Sequence, residues 1–159
     1  MKLDDIRCLS IRQPWAYLIL HCGKDVENRR WRRGYRGPVL IHAGIAVDRD
    51  AMSDPALRPM LRNADLQMGG IVGACIITGC VAESDSAWFF GPYALTLERA
   101  VPLPFIPMPG RLYFFPPTPE ALAAAMPGLG GLLRGYAATG GATAAPTNLK
   151  PCTARKWPP

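Results

Sequence analysis

The strongest structural signals of the sequence lie in residues 9–43, LSIRQPWAYLILHCGKDVENRRWRRGYRGPVLIHA. Alternating polar and apolar residues over 7–11 predict a short strand. Pro14 suits the first position of a helix, where the N–H stays unpaired in any residue. Apolar residues then recur at helical spacing over 14–22, and Gly23 fits the left-handed residue that ends a helix. The unit closes with an apolar strand over 38–42.

Between this helix and the second strand lies a run dense in charge. Five arginines fall within residues 29–36, here called the arginine loop, and Trp31 and Tyr35 are interleaved with them. We expect the chain to be extended over 25–31, with Glu27 and Arg29 on one face and Val26 on the other. Concentrated positive charge attracts anionic ligands, of which phosphate backbones are the commonest.

The remainder of the chain predicts several further strands and few helices. We expect a helix over 48–64, interrupted or started by Pro55 and Pro59, and a long apolar strand over 71–81 with a bend or bulge at Gly73 and Gly79. Strands over 93–101 and 112–115 complete the set. Short strands with bends at glycine describe an α+β fold, a small mixed β-barrel with flanking helices.

The C-terminal part differs in composition. Thr118-Pro119-Glu120 predicts the start of a short helix, with threonine as the cap and proline in the first position. Beyond about Met126 the chain is rich in Gly, Ala, Pro and Thr, and we expect a loosely packed extension. We therefore divide the chain into a domain over 1–117 and a C-terminal helix with its extension over 118–159. The basic end of the extension is either solvated or part of a nucleic-acid surface: Lys150, Arg155, Lys156 and Trp157.

Composition excludes several classes of protein. Hydrophobic residues make up 49% of the chain and the formal net charge is +6, which is typical of a globular domain and not of a disordered one. The first residues lack the apolar core of a signal peptide, and no run reaches the length of a membrane span, so we expect a cytoplasmic protein. Five cysteines without CxxC spacing and two histidines predict no metal site and no cofactor.

The motifs together resemble the ASCH domain family. The resemblance is carried by S-I-R-Q-P-W-A at 10–16, G-K-D-V-E-N-R at 23–29, and W-F-F-G-P-Y at 88–93, with Tyr35-Arg36-Gly37 and L-I-H-A at 40–43 between them. It covers about residues 8–116. Membership implies a PUA-like β-barrel and a cleft near the first helix and the K-x-x-E-x-R segment, suited to RNA or a modified base.

One branch of this family consists of amidohydrolases that remove the acetyl group from N4-acetylcytidine. Lys24 matches a lysine of that branch, but Glu27 stands where the branch has its nucleophilic threonine. Other members are RNA-binding or RNA-cleaving. The resemblance therefore leaves both a binding module and an enzyme open.

Our first hypothesis is a module that binds RNA or a modified nucleoside. Trp31 and Tyr35 would stack on bases, and Arg32, Arg33 and Arg36 would contact phosphates. Gln13 and Asn28 would either read a base edge or bond the backbone, and His42 would either face the cleft or lie in the core. The predicted binding residues are Gln13, Asn28, Arg29, Trp31, Arg32, Arg33, Tyr35, Arg36 and His42.

The second hypothesis is a hydrolase acting on RNA or on an acylated nucleoside. Glu27 would be a general base toward water or a ribose hydroxyl, while Lys24 and Arg29 would neutralise the developing charge. A structural ion pair between Glu27 and either cation is the alternative reading of the same residues. A third hypothesis is a protein-interaction module whose arginine loop meets an acidic partner.

Overall fold

The computed structural model describes residues 5–141. Within that range the chain forms six strands and four helices. In chain order these are β1 (Arg7–Gln13), α1 (Trp15–His21), β2 (Val26–Arg29), β3 (Gly37–Val47), α2 (Arg49–Ser53), α3 (Arg58–Leu61), β4 (Gly70–Val81), β5 (Tyr93–Pro107), β6 (Phe114–Phe115) and α4 (Pro119–Ala138).

All six strands belong to one curled sheet, a half-barrel with the strand order β2-β5-β4-β3-β1-β6. β1 and β3 are parallel, with Leu9 opposite Ile41, and the other neighbouring strands are antiparallel. A parallel pair needs a crossover connection, and here α1 and then β2 connect β1 to β3. The α+β class and the mixed sheet are confirmed.

Curvature is concentrated in the long β4–β5 pair. The register between these strands shifts beside Gly73 and again beside Gly79, which confirms the predicted bends. A side chain at Gly73 would collide with Leu20 of α1 and with the carbonyl of Val101. Glycine at this point therefore lets α1 and the Val101 carbonyl of β5 lie close to β4.

The described residues form three apolar clusters, of which the two larger ones lie on the two sides of the sheet and the third lies beside β2 around Leu18, Val26 and Trp88. One contains α1 residues and the inward positions of β1, β3, β4 and β5, among them Ile19, Ile41 and Leu95. The other is covered by α4, whose buried residues Leu129 and Leu132 pack with β3, β4 and β5 residues. The site described below is built where α1 turns into β2, at one edge of the sheet.

The predicted start of α4 is confirmed, because the hydroxyl of Thr118 accepts from the Ala121 N–H at 3.2 Å. The helix is longer than expected and continues past Met126 to Ala138. Burial of Leu129 and Leu132 stabilises these turns despite their glycines, since most helical stability in proteins comes from packing of an apolar face. Residues 142–159, including the basic end of the extension, lie outside the described residues.

Other elements differ from prediction in their bounds. The helix predicted over 48–64 is interrupted at Pro55, one of the two expected positions, because proline cannot donate the N–H that a continuous helix needs; α2 and α3 lie on either side of it. β5 extends to Pro107. β6 is reduced to Phe114–Phe115, because the preceding Tyr113 has a left-handed φ of 62°.

Candidate functional site

A buried lysine is the centre of the site. Gly23, with φ at 70°, turns the chain out of α1, and the Lys24 N–H then donates to the Leu18 carbonyl at 3.1 Å. The Lys24 residue is only 3% exposed. Its Nζ donates to the Val26 carbonyl and, at 3.2 Å, to Glu27 Oε2.

Glu27 connects this lysine to an arginine. Its Oε1 lies 3.5 Å from Arg29 Nη2, which also donates to the Ser10 carbonyl at 3.3 Å. The Nε of Arg29 is buried and has no hydrogen-bond partner within residues 5–141. Lys24, Glu27 and Arg29, here called the ionic triplet, thus hold two basic groups around one carboxylate and leave the buried Arg29 Nε without a protein acceptor among the described residues.

Burial dominates the electrostatics of Lys24. Loss of solvation lowers the pKa of its amine, Glu27 opposes that shift, and the charge of Arg29 adds to it. The Lys24 Nζ lies 5.6 Å from the centre of the Trp15 ring, so an apolar face borders the amine. Behind the triplet, burial and Glu27 raise the pKa of Cys75 to about 12, which keeps this thiol protonated and unreactive at neutral pH.

Asn28 fixes the aromatic loop that follows β4. Its Nδ2 donates to the Trp88 carbonyl at 2.8 Å, and its Oδ1 accepts from the Phe90 N–H at 3.1 Å. Phe90 is 40% exposed, and its ring centre lies 6.4 Å from that of Trp15. Asn28 therefore positions an exposed aromatic side chain near the ionic triplet through backbone contacts.

Gln13 and His42 are buried and make contacts within the protein. Gln13 Nε2 donates to the Gln67 carbonyl at 2.9 Å, and its Oε1 accepts from the Tyr17 N–H at 3.1 Å. His42 Nε2 donates to the Met108 carbonyl at 2.8 Å, so this nitrogen carries the proton. Its Nδ1 then accepts from the hydroxyl of Ser10 at 3.2 Å. These contacts match the backbone and core roles that the sequence left open for both residues.

The aromatic residues of the arginine loop have different surroundings. Trp31 is 44% exposed and lies beside Tyr113, with ring centres 5.8 Å apart. Tyr35 stacks on Phe114 at 4.6 Å and donates its hydroxyl proton to the Pro38 carbonyl at 2.6 Å. Burial raises the pKa of Tyr35 to about 12. Trp31 thus lies partly in solvent, whereas Tyr35 is packed against the sheet.

The arginines of the loop also differ in their contacts and exposure. The guanidinium carbon of Arg33 lies 5.5 Å from the Trp31 ring centre and 4.6 Å from that of Tyr113. Arg36 donates to the Thr78 carbonyl at the far end of β4. Arg30, Arg32 and Arg36 are exposed. Sequence reasoning did not identify Tyr113 or Phe90, because each reaches its partners only through pairing of distant segments.

A cavity of about 350 Å³ lies on the other side of Gln13, between α1, the chain after α3, and β5. No member of the ionic triplet lines it, so cavity and triplet are separate features. Within residues 5–141 no three His, Cys, Asp or Glu side chains are grouped so as to hold a metal ion. Over the same residues, no helix has the length and apolarity to cross a membrane.

The half-barrel sheet, its flanking helices and the placement of the K-x-x-E-x-R segment define a PUA-like α+β domain. The sequence profile of the ASCH domain matches residues 9–107, more than half of the chain. The chain therefore belongs to the ASCH domain family, as the motifs predicted. No curated protein matches the sequence significantly.

Proposed function

We propose that this protein binds RNA or a modified nucleoside at the ionic triplet. Membership of the ASCH domain family supports an RNA-related binding function in general. The arginine loop begins at Arg29 of the triplet, and Asn28, beside Arg29 in β2, bonds the backbone of the Phe90 loop. Together they offer positive charge, hydrogen-bond donors and aromatic faces, which are the features that single-stranded nucleic acids require.

The observation that carries the proposal is the unpaired Nε of Arg29. A buried donor without an acceptor costs about 1–3 kcal/mol, so few persist in folded proteins without a ligand or water. Phosphate oxygens and base carbonyls are strong hydrogen-bond acceptors. A planar guanidinium can donate two parallel hydrogen bonds to one phosphate. A quarter of the Arg29 side chain is exposed, so a small rotation of the guanidinium would bring Nε to a ligand oxygen and complete the hydrogen bonding of the triplet.

The remaining predicted residues divide into two roles in this proposal. Arg32, Arg33 and Arg36 contact phosphates and steer the ligand toward the triplet, while Trp31 stacks on a base. Gln13, Asn28, Tyr35 and His42 hold the walls of the site in place through the backbone and core contacts given above.

Titration of a fluorescently labelled single-stranded RNA into wild type, Arg29→Lys and Arg29→Met tests the proposal. Arg29→Lys keeps the charge but loses the Nε donor, so it separates geometry from charge. A hydrogen bond to a charged group contributes ~1.5–3 kcal/mol, so we expect Arg29→Met to weaken binding by about 10- to 100-fold, with Arg29→Lys between it and wild type. Arg62→Met, at an exposed arginine after α3, is the matched control and should bind as wild type does. Equal affinity in all four folded proteins would refute the proposal.

A second candidate function is favoured by the contact between Glu27 and the buried amine of Lys24, whose pKa is lowered. Such a pair can activate water and stabilise an oxyanion. Glu27 would take a proton from a water molecule as the water oxygen adds to the acyl carbon. Lys24 would stabilise the resulting oxyanion. The C–N bond would then break, and the leaving amine would take the proton from Glu27.

Incubation with N4-acetylcytidine, and separately with labelled RNA, tests this hydrolase. Product that forms with wild type and disappears with Glu27→Gln establishes turnover at the triplet. Binding of RNA without any product in either incubation would exclude the reaction on these substrates and leave the binding function.

A further inference from the structure

An exposed aromatic surface adjoins the ionic triplet. Trp31 and Tyr113 lie with ring centres 5.8 Å apart and planes at 56°, and they are 44% and 54% exposed. The guanidinium of Arg33 lies over both rings, 5.5 Å and 4.6 Å from their centres. These three residues, here called the aromatic platform, present ring and guanidinium planes together at the surface.

The platform is assembled from two distant segments. Trp31 and Arg33 belong to the arginine loop, whereas Tyr113 ends the loop between β5 and β6. Tyr113 has a left-handed φ of 62°, which is uncommon for a bulky residue. The adjacent Leu112 is 83% exposed. Burial therefore does not account for the position of Tyr113, since its ring lies largely in solvent.

The platform is continuous with the triplet by two routes. Along the chain, Trp31 is two residues beyond Arg29, so their Cα atoms are at most about 7 Å apart. Through space, both features contact Ser10. Arg29 donates a hydrogen bond to the Ser10 carbonyl. Gly110, in the loop that ends at Tyr113, packs against the Ser10 side chain, and a Cβ atom added to Gly110 would lie only 3.0 Å from Ser10 Oγ. A ligand at Arg29 can therefore extend onto the platform.

We infer that the ligand is single-stranded RNA of two or more nucleotides, with one nucleotide at the triplet and a neighbouring base on the platform. This inference rests on the proposed function and specifies its ligand class. Unpaired bases stack on aromatic rings and on guanidinium planes, whereas bases in a duplex do not expose their faces. Arg30 and Arg32 in the arginine loop and Arg111 beside the platform are exposed, which supplies charge for the connecting phosphates.

The test compares two ligands on the same set of proteins. A labelled single-stranded octanucleotide spans both sites, whereas cytidine 5′-monophosphate occupies one. Tyr113→Ala removes a platform ring, Tyr113→Phe keeps it, and Leu112→Ala truncates the exposed neighbour as the matched control. Because Tyr113 is mostly exposed, we expect all variants to fold, which thermal unfolding of each verifies.

We expect Tyr113→Ala to weaken octanucleotide binding about tenfold or more, the scale of one lost base stack. Its affinity for cytidine 5′-monophosphate should equal that of wild type, and Tyr113→Phe and Leu112→Ala should bind both ligands normally. Wild type should also prefer the single strand to a duplex of the same sequence.

Three outcomes would overturn the inference in distinguishable ways. If Arg29→Met weakens both ligands but Tyr113→Ala changes neither, the proposed function stands and the platform has no part in it. Equal affinity of wild type for single strand and duplex would likewise exclude base stacking. If wild type binds neither ligand but binds an acidic polypeptide, the proposed function fails and this inference fails with it.

Discussion

Replacing Asn28 by alanine tests whether its side chain holds the Phe90 loop in place or hydrogen-bonds a base of the ligand. The change removes two hydrogen bonds, one of 2.8 Å to the Trp88 carbonyl and one of 3.1 Å from the Phe90 N–H. A typical bond contributes ~1 kcal/mol net, and a buried group left unpaired costs ~1–3 kcal/mol. Trp88 is only 9% exposed, so its carbonyl is poorly placed to find water, whereas Phe90 is partly exposed. We expect Asn28→Ala to lose about 2–4 kcal/mol of unfolding free energy.

Denaturant unfolding followed by tryptophan fluorescence measures this loss. Asn63, an exposed asparagine after α3, provides the control, and Asn63→Ala should stay within about 0.5 kcal/mol of wild type. If Asn28→Ala were as stable as this control yet lost affinity for RNA, the structural role of Asn28 would be refuted and a direct contact with a base would be supported.

Two further predictions concern stability. Because burial lowers the Lys24 pKa from its usual 10.5, the unfolded chain binds more protons between the folded-state pKa and 10.5. The unfolding free energy attributable to Lys24 therefore rises with pH in that window. Denaturant melts at increasing pH should show a steeper rise for wild type than for Lys24→Met, and identical slopes would contradict the lowered pKa of the buried amine. In α4, Leu129→Ala should lower the free energy of unfolding by ~2–5 kcal/mol because it opens a cavity in the core between α4 and the sheet. Leu112→Ala at the surface should lower it little. Equal denaturant melts for the two variants would show that this part of α4 does not pack on the sheet.

Elements with strong local signals were predictable from the sequence. The helix after Pro14, the left-handed Gly23 and the apolar strand over 71–81 each depend on neighbours within a few residues, and the structure places them close to prediction. The glycine bends in that strand were predictable for the same reason. The ion contacts of Glu27 were also among the alternatives, because strand alternation places Glu27 and Arg29 on one face.

Features that depend on long-range contact were not predictable. The second half of α4 is poor in helix formers, and only its burial against the sheet explains why it is helical. Tyr113 meets Trp31 because β6 pairs with β1 and brings the preceding loop to the arginine loop. The unpaired Nε of Arg29 likewise follows from the packing around Ser10, since no spacing rule reveals which donors a fold leaves unsatisfied.

The most direct test of the proposed site observes the Arg29 Nε–H itself. In a ¹⁵N NMR spectrum, the arginine Nε–H signal that disappears in Arg29→Lys identifies this group, and single-stranded RNA is then titrated into wild type. We predict that the Arg29 signal shifts and exchanges more slowly with water as RNA saturates, because its proton becomes bonded to a ligand oxygen, while the Arg62 signal stays in place. An Arg29 signal that does not move at saturating RNA would contradict the assignment of the ionic triplet as the binding site.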